Sequence, residues 1–278
     1  MITVKRTPKQ RFHKKIFNYI ISHEIRVYLM ILFLYSIPIV IYTIFLKGYC
    51  DGNFLSNLLA EAHGTIFDLL IVGVLINLIL SIRDKRIKVK GYREDIDDYR
   101  NWNSPEAAHK IRGDILRLNK LGITSVDLMD CYLEGMELLD VNLSGSNLIC
   151  ANFKQTKLIG ITLDSARLIK SNFNGAKFKG GTIQDSICDE SNFKNSELLN
   201  ISLKNSDFTG ANFQNADFLQ ANLEDVNFSQ ANLDGIKNVS IEQLSKVYTL
   251  WKAKLDPEMK KEMKEKYGHL FKKPNRKI

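Results

Sequence analysis

Two kinds of apolar pattern divide this chain, and they do not share a period. Val27 to Leu46 is a run of twenty residues without a charge. Ile66 to Ile82 is a second run of seventeen, and its one charged residue, Asp68, lies two places from its start. At about 1.5 Å per residue, twenty residues make about 30 Å of helix, the thickness of a bilayer's hydrocarbon core. The pattern predicts two membrane spans, 27–46 and 66–82, the first kinked at Pro38, which a span tolerates better than a soluble helix does. The first run is too long for the apolar part of a cleaved signal peptide, and no A-x-A site stands directly after it.

From Val126 to Gly235 the chain divides without insertion or deletion into quintets whose third residue is apolar. There are twenty-two such positions, twenty of them Leu or Phe, with Ile183 and Cys188 the others. Two places earlier the residue is usually small, as at Ala151, Ala166, Ser171, Ala211 and Ala231, and between the two stands a polar residue, often Asn. A period of five fits neither a helix at 3.6 nor a strand at 2. It fits a square coil whose side takes five residues and turns one large apolar side chain inward, four sides closing a turn of twenty. Successive turns then stack at about 4.8 Å.

Sequence comparison at a lag of twenty supports that turn. One column reads Leu133, Phe153, Phe173, Phe193, Phe213, Leu233, with Asn152, Asn172, Asn192, Asn212 and Asn232 beside it, five amides placed to bond along the axis. Another, Leu143, Leu163, Ile183, Leu203, Leu223, is wholly aliphatic. The pattern A-(N/D)-(L/F)-x-x resembles the pentapeptide-repeat family. That resemblance implies a right-handed quadrilateral β-helix over residues 126–235. Cys188 at an inward site, and Met136, Ile161 and Ile201 where a small residue is usual, depart from the pattern.

An open coil exposes unpaired backbone and an apolar mouth, so caps are expected at both ends. Ser104-Pro105-Glu106 reads as a helix start, with Ala108, Ile111, Ile115 and Leu118 on its apolar side and Gly122 as its stop. Ser240-x-x-Gln243 is a capping box, predicting a helix with Ile241, Leu244, Val247, Tyr248 and Trp251 on one side. Asp256-Pro257-Glu258 predicts a further short helix ending near Gly268. The tail from Leu250 to Phe271 also resembles the segment that follows the repeats in some membrane-associated members of the family. The expected architecture is thus a membrane α-helical hairpin plus an all-β quadrilateral solenoid with helical caps. Its parts are a basic N-terminal segment 1–26, a hairpin 27–82, a connector and cap 83–125, the repeats 126–235, and a cap and basic tail 236–278.

Charge sets the orientation. The net +8 is uneven: residues 126–235 hold eight basic and fifteen acidic side chains, whereas 236–278 hold twelve and five. Residues 1–26 carry seven Lys or Arg against Glu24, and Arg83, Lys85, Arg86, Lys88 and Lys90 follow the second run, while 47–65 has a single basic residue. The positive-inside rule then puts both termini in the cytoplasm of an inner-membrane protein, with the basic flanks against anionic lipid. Cys131, Cys150 and Cys188 fall in a reducing compartment, so no disulfide is expected.

No catalytic constellation is present: the five His are scattered, and no P-loop, G-x-G-x-x-G or HExxH occurs. Neither cofactor, metal nor small-molecule substrate is expected. The outward position after each inward residue is more informative. Leu139, Ile159, Leu199 and Leu219 form one stripe, interrupted by Lys179, and Met129, Ile149 and Ile169 form a neighbouring one. Such stripes suggest a contact surface for a protein partner or for self-association. Asp68 and Asn77 are the polar residues of the second span, candidates for an ion path or a helix–helix hydrogen bond. The reading is a non-enzymatic membrane-anchored scaffold presenting a rigid cytoplasmic coil. The alternative is an oligomeric membrane effector, ion-conducting or membrane-perturbing, of an anti-phage or stress system. The resemblance adds a third, a DNA mimic acting on gyrase, disfavoured by a coil of only −7 with Lys and Arg interspersed. Nucleic acid is disfavoured as a partner for the same reason.

Overall fold

The computed structural model describes residues 53–274 together with Ile37, Ile41 and Phe45, which are helical and exposed. The expected span 27–46 lies outside the described residues except at those three positions, and so does the basic segment 1–26. The chain divides into two compact units, Met1–Ile87 and Lys88–Ile278.

From Asn53 onward the first unit is one helix, α1 (Asn53–Asp98), which runs on into the second. Its bounds correct the expectation at both ends. The segment 47–65 was expected as a loop, yet it is helical from Asn53, because Leu58 to Ala62 are good helix formers and no proline interrupts them. Residues 83–98, expected as a connector, continue the helix on charged side chains such as the Lys90–Glu94 pair at 3.3 Å. Within α1, His63–Asp98 is long and apolar enough to cross a bilayer. Its most apolar eighteen residues have a mean hydropathy of 2.4, with 6% of them buried.

The second unit is a coil of stacked square turns. Residues at the third place of each quintet, from Leu128 to Leu233, are all buried. Each turn bonds the next in parallel: Phe153 N–H donates to Asn172 O at 2.7 Å, and Asn152 N–H donates back to Cys131 O at 2.9 Å. One side of the square is a regular sheet of β1 (Glu137–Leu139), β2 (Lys157–Ile159), β3 (Lys177–Lys179) and β4 (Glu197–Leu199), in a register of Leu138, Leu158, Phe178 and Leu198. The other sides pair through single bridges such as Asn152↔Asn172 and Thr162↔Thr182. Inside, Phe153, Phe173, Phe193 and Phe213 stack with centroids 5.0, 4.8 and 5.0 Å apart. Offset stacking of this kind adds about 0.5–1.5 kcal/mol per pair beyond burial.

Corners are made by the fifth residue. All twenty-two of these, from Asp130 to Gly235, have positive φ, and only seven are Gly. Left-handed backbone costs a residue with a side chain about 1–2 kcal/mol, least for Asn and Asp. Most corners close with a turn bond, such as Ala151 N–H to Leu148 O at 3.1 Å. After β1 to β4 no such bond forms at Val141, Ile161, Gly181 or Ile201. These open corners follow the three-residue strands and give Ile161 and Ile201 room to bury, so their departure from small residues marks a second corner type. In the next turn Ala221 stands at the same place and its N–H does bond Phe218 O, at 2.9 Å.

Helix α2 (Pro105–Lys120) caps the first turn, with Ser104 Oγ accepting from Ala107 N–H at 3.2 Å. Its side chains take the place of a missing turn below. Asn119 Oδ1 accepts from Asn142 N–H at 2.7 Å while its Nδ2 donates to Asn142 O at 2.9 Å, and Arg112 Nε donates to Glu137 O at 2.6 Å. Arg100 and the Asn101 backbone serve Met129 O and Asp130 O on another side.

The far end corrects the expected cap. The capping box at Ser240 and Gln243 forms, but helix α3 ends at Leu244 after four residues. Val247, Tyr248 and Trp251 do not extend it. Instead the repeat resumes two residues out of frame: Tyr248 N–H bonds Val226 O, Phe228 N–H bonds Thr249 O, and Lys254 N–H bonds Ala231 O. Leu250 and Leu255 are buried like any third residue, Ala253 takes the small place, and Lys252 has the left-handed φ of 57°. Helix α4 (Pro257–Tyr267) and a 3-10 turn (Gly268–Phe271) then close the mouth, with Leu250 N–H bonded to Leu270 O at 2.7 Å. Asp256 does not cap α4; its carboxylate accepts from Gly235 N–H at 3.1 Å.

Candidate interaction surfaces

Chemistry finds little purchase here. Among the described residues no group of three or more His, Cys, Asp and Glu could hold a metal ion. Burial pushes the Cys131 thiol up to about 12 and raises Cys188 well above its ordinary value, so neither is a thiolate nucleophile at neutral pH. A cleft of about 360 Å³ lies between the end of α1 and the first turn, lined by Arg93, Ile96, Asp97, Ser125, Val126, Asp127, Gly145 and Asn147. Arg93 crosses it to donate to Ser125 O at 3.3 Å.

The outer surfaces are more distinctive. Leu139, Ile159 and Leu219 are 46%, 37% and 44% exposed, and Leu199 is half-buried. With Lys179 they run up the outside of the sheet, where the open corner leaves each of the first four strands flat across three residues. Met129, Ile149 and Ile169 are half-buried at the corresponding place two quintets away. In a four-sided coil, two quintets is half a turn. The second stripe is therefore on the opposite side of the square and not beside the first, as the sequence reading had it. Ile187, 45% exposed beside it, was missed because it stands at the usually polar second place.

The Asn column carries two kinds of bond. Nδ2 of Asn172, Asn192 and Asn232 donates to Oδ1 of Asn152, Asn172 and Asn212 at 3.4, 3.1 and 3.3 Å. The same Oδ1 atoms accept backbone N–H two residues on, as Lys154 to Asn152 at 3.0 Å and Asn174 to Asn172 at 3.1 Å. The second bond makes each Asn a turn former as well as a rung. Charges also pair at the lag of twenty, Lys154 with Glu134 at 3.1 Å and Lys177 with Glu197 at 2.7 Å. In α1, Asp68 is exposed, and Asn77 Nδ2 donates to Gly73 O of its own helix at 3.1 Å.

These repeats have relatives. The pentapeptide-repeats family model matches residues 127–163, 146–185 and 186–225 in eight copies. No curated protein matches the chain. Among solved structures, HetL, a pentapeptide repeat protein involved in heterocyst differentiation regulation from the cyanobacterium Nostoc sp. strain PCC 7120, is similar at 23% identity and a TM-score of 0.41. The match covers 48% of this chain and 58% of HetL. A pentapeptide repeat protein of the Arabidopsis thaliana thylakoid lumen is 23% identical, with a TM-score of 0.35, over 35% of this chain and 68% of its own. Another, from the cyanobacterium Cyanothece 51142, is 22% identical with a TM-score of 0.25, over 52% of this chain and 95% of its own. Over residues 127–225 the chain matches the pentapeptide-repeats model, and its twenty-residue register makes it a four-sided parallel β-helix.

Proposed function

We propose that this protein is a non-enzymatic scaffold, anchored in the inner membrane with both termini cytoplasmic, whose coil docks a protein through the outer side of the β1–β4 sheet. The observation that carries the docking reading is the flat strand side itself. Leu139 and Ile159 stand exposed on it and Leu219 continues their column one turn beyond β4, on a coil that leaves its other large apolar side chains mostly inside. An apolar stripe on a rigid surface, here broken only at Lys179, is what a partner's apolar side chains need. Anchoring draws support from α1, whose apolar stretch is exposed over nearly its whole length and is followed by Arg83, Lys85, Arg86, Lys88 and Lys90, suited to anionic headgroups.

Crosslinking in native membranes tests the docking surface. Replacing Leu199 and Leu219 together by Asp is expected to remove the crosslinked species while the coil stays folded; an unchanged pattern overturns the reading. Alkaline carbonate washing tests the anchor, since release of the full chain into the supernatant would refute it. The effector reading draws on Asp68, exposed beside the apolar stretch. It predicts cation currents in planar bilayers that Asp68→Ala abolishes.

A further inference from the structure

The sheet side has a second column beside the aliphatic stripe, and its charges have an order. Reading up the coil at the second place of each quintet, the residues are Glu137, Lys157, Lys177, Glu197, Asp217 and Lys237. They are consecutive partners in the ladder: Glu137↔Lys157, Lys157↔Lys177, Lys177↔Glu197, Glu197↔Asp217 and Asp217↔Lys237. Two of these juxtapositions, Lys157 with Lys177 and Glu197 with Asp217, set like charges side by side, which is unfavourable in a lone sheet. Read backwards, the series −, +, +, −, −, + becomes +, −, −, +, +, −. Every sign inverts about the midpoint between Lys177 and Glu197.

We infer that the occupant of this side is a second copy of the same chain, packed sheet to sheet with its coil antiparallel about a two-fold axis that runs along the strands between β3 and β4. This rests on the sheet side being the docking surface. A two-fold axis along the strands reverses the order of turns but keeps position along each strand, so the charged column faces the charged column and the aliphatic column faces the aliphatic one. Glu137 then meets Lys237, Lys157 meets Asp217, and Lys177 meets Glu197, each twice. Ile159 meets Leu219, and Lys179 lies over Leu199 with its stem against the leucine. The like-charged neighbours of each sheet are thereby bridged by the opposite pair of the other. A parallel pairing, with the axis along the coil, sets the charged column against the aliphatic one and gains neither. Any other axis position along the coil, such as one through Lys177, opposes Glu137 to Asp217 and Lys177 to itself.

The surface is small. Six levels of the coil at about 4.8 Å and three residues of width at about 3.3 Å give on the order of 300 Å² per copy, below the roughly 800 Å² of a standard stable interface. The pairing is accordingly weak for molecules free in three dimensions and depends on the raised local concentration that a shared membrane gives.

The test uses the full chain, with Cys50 and Cys150 replaced by Ser, in vesicles of phosphatidylethanolamine and phosphatidylglycerol. Ile159→Cys and Leu219→Cys variants are oxidised separately and as a mixture. The mixture is expected to give a disulfide dimer and each variant alone at least five-fold less, because Ile159 and its own copy lie three turns' height out of contact. Dimer from Ile159→Cys alone would put the two copies of Ile159 at one height and overturn the inference. Lys157→Glu is expected to cut the mixed dimer at least five-fold, and Asp217→Lys added to it to restore most of the yield; failure to restore also overturns it. Thiol labelling in native membranes separates the two ways of failing. An Ile159→Cys thiol that is shielded from labelling yet never crosslinks to another copy means a foreign partner covers the sheet, so the docking surface stands and the two-fold pair falls. A fully labelled thiol removes both.

Discussion

The coil and α1 contain the same aliphatic and aromatic residue types and dispose of them in opposite ways. In the coil the inward Leu and Phe side chains are at most 5% exposed. In α1, Phe67, Leu69, Val72, Leu75, Ile79 and Leu80 are all between 47% and 63% exposed. The coil satisfies its apolar residues from within the chain, because four sides converge on one axis. Among the described residues nothing buries the apolar side chains of α1, and the proposed anchor gives that surface to a bilayer.

Truncation is the sharpest way to break that contrast. Phe193 touches Phe173, Phe178, Phe208 and Phe213, so Phe193→Ala is expected to cost about 3–5 kcal/mol in denaturant unfolding of the coil. Leu75→Ala should leave that transition unmoved. Equal effects would mean that α1 has a protein partner of its own. Next in size, Leu75→Arg is expected to reduce membrane insertion by about 2.5–3.5 kcal/mol, read as a shift of the chain out of the membrane fraction.

The turn chemistry gives smaller, graded effects inside the coil. Gly181 has φ +92°, and an added Cβ would lie 2.2 Å from Ile161 O; at Gly180, φ +68°, nothing lies within 4 Å. Gly181→Ala should therefore destabilise by at least about 2 kcal/mol and Gly180→Ala by about 1, measured side by side. Asn192→Ala removes both the rung to Asn172 and the bond from Lys194 N–H, with an expected loss of about 1–2 kcal/mol.

Asp114 should give the smallest effect. Burial raises its carboxyl above the ordinary range despite the Arg117 partner at 2.6 Å. The folded chain thus holds this proton more tightly than the unfolded chain. Its contribution is fully present below the unfolded value and is lost as pH rises through the folded one. Asp114→Asn is expected to flatten stability against pH across that acid window, as seen in melting curves.

The coil was legible because its grammar repeats: a side chain every five residues and a column every twenty are visible without coordinates. Val247, Tyr248 and Trp251 were misread for the same reason. Their apolar spacing suits a helix, and the two-residue change of frame hides the resumed quintets Tyr248–Lys252 and Ala253–Pro257. A scan for small-polar-Leu in any frame would have found Ala253-Lys254-Leu255. The open corners were written in Val141, Ile161 and Ile201, but what those residues meant depended on knowing that the bond present at most other corners is missing there. The charge order of the sheet side was in the sequence throughout. It became readable only once the ladder fixed which residues are neighbours.

The out-of-frame resumption after α3 shows that the winding tolerates an interruption so long as the chain re-enters at the right height. Length is consequently a free parameter of this architecture, fixed by where the two lids sit. Copying a block such as 168–187 in tandem would raise the tower by one storey and leave both lids as they are. Over evolutionary time, reach can thus be adjusted separately from whatever the walls recognise.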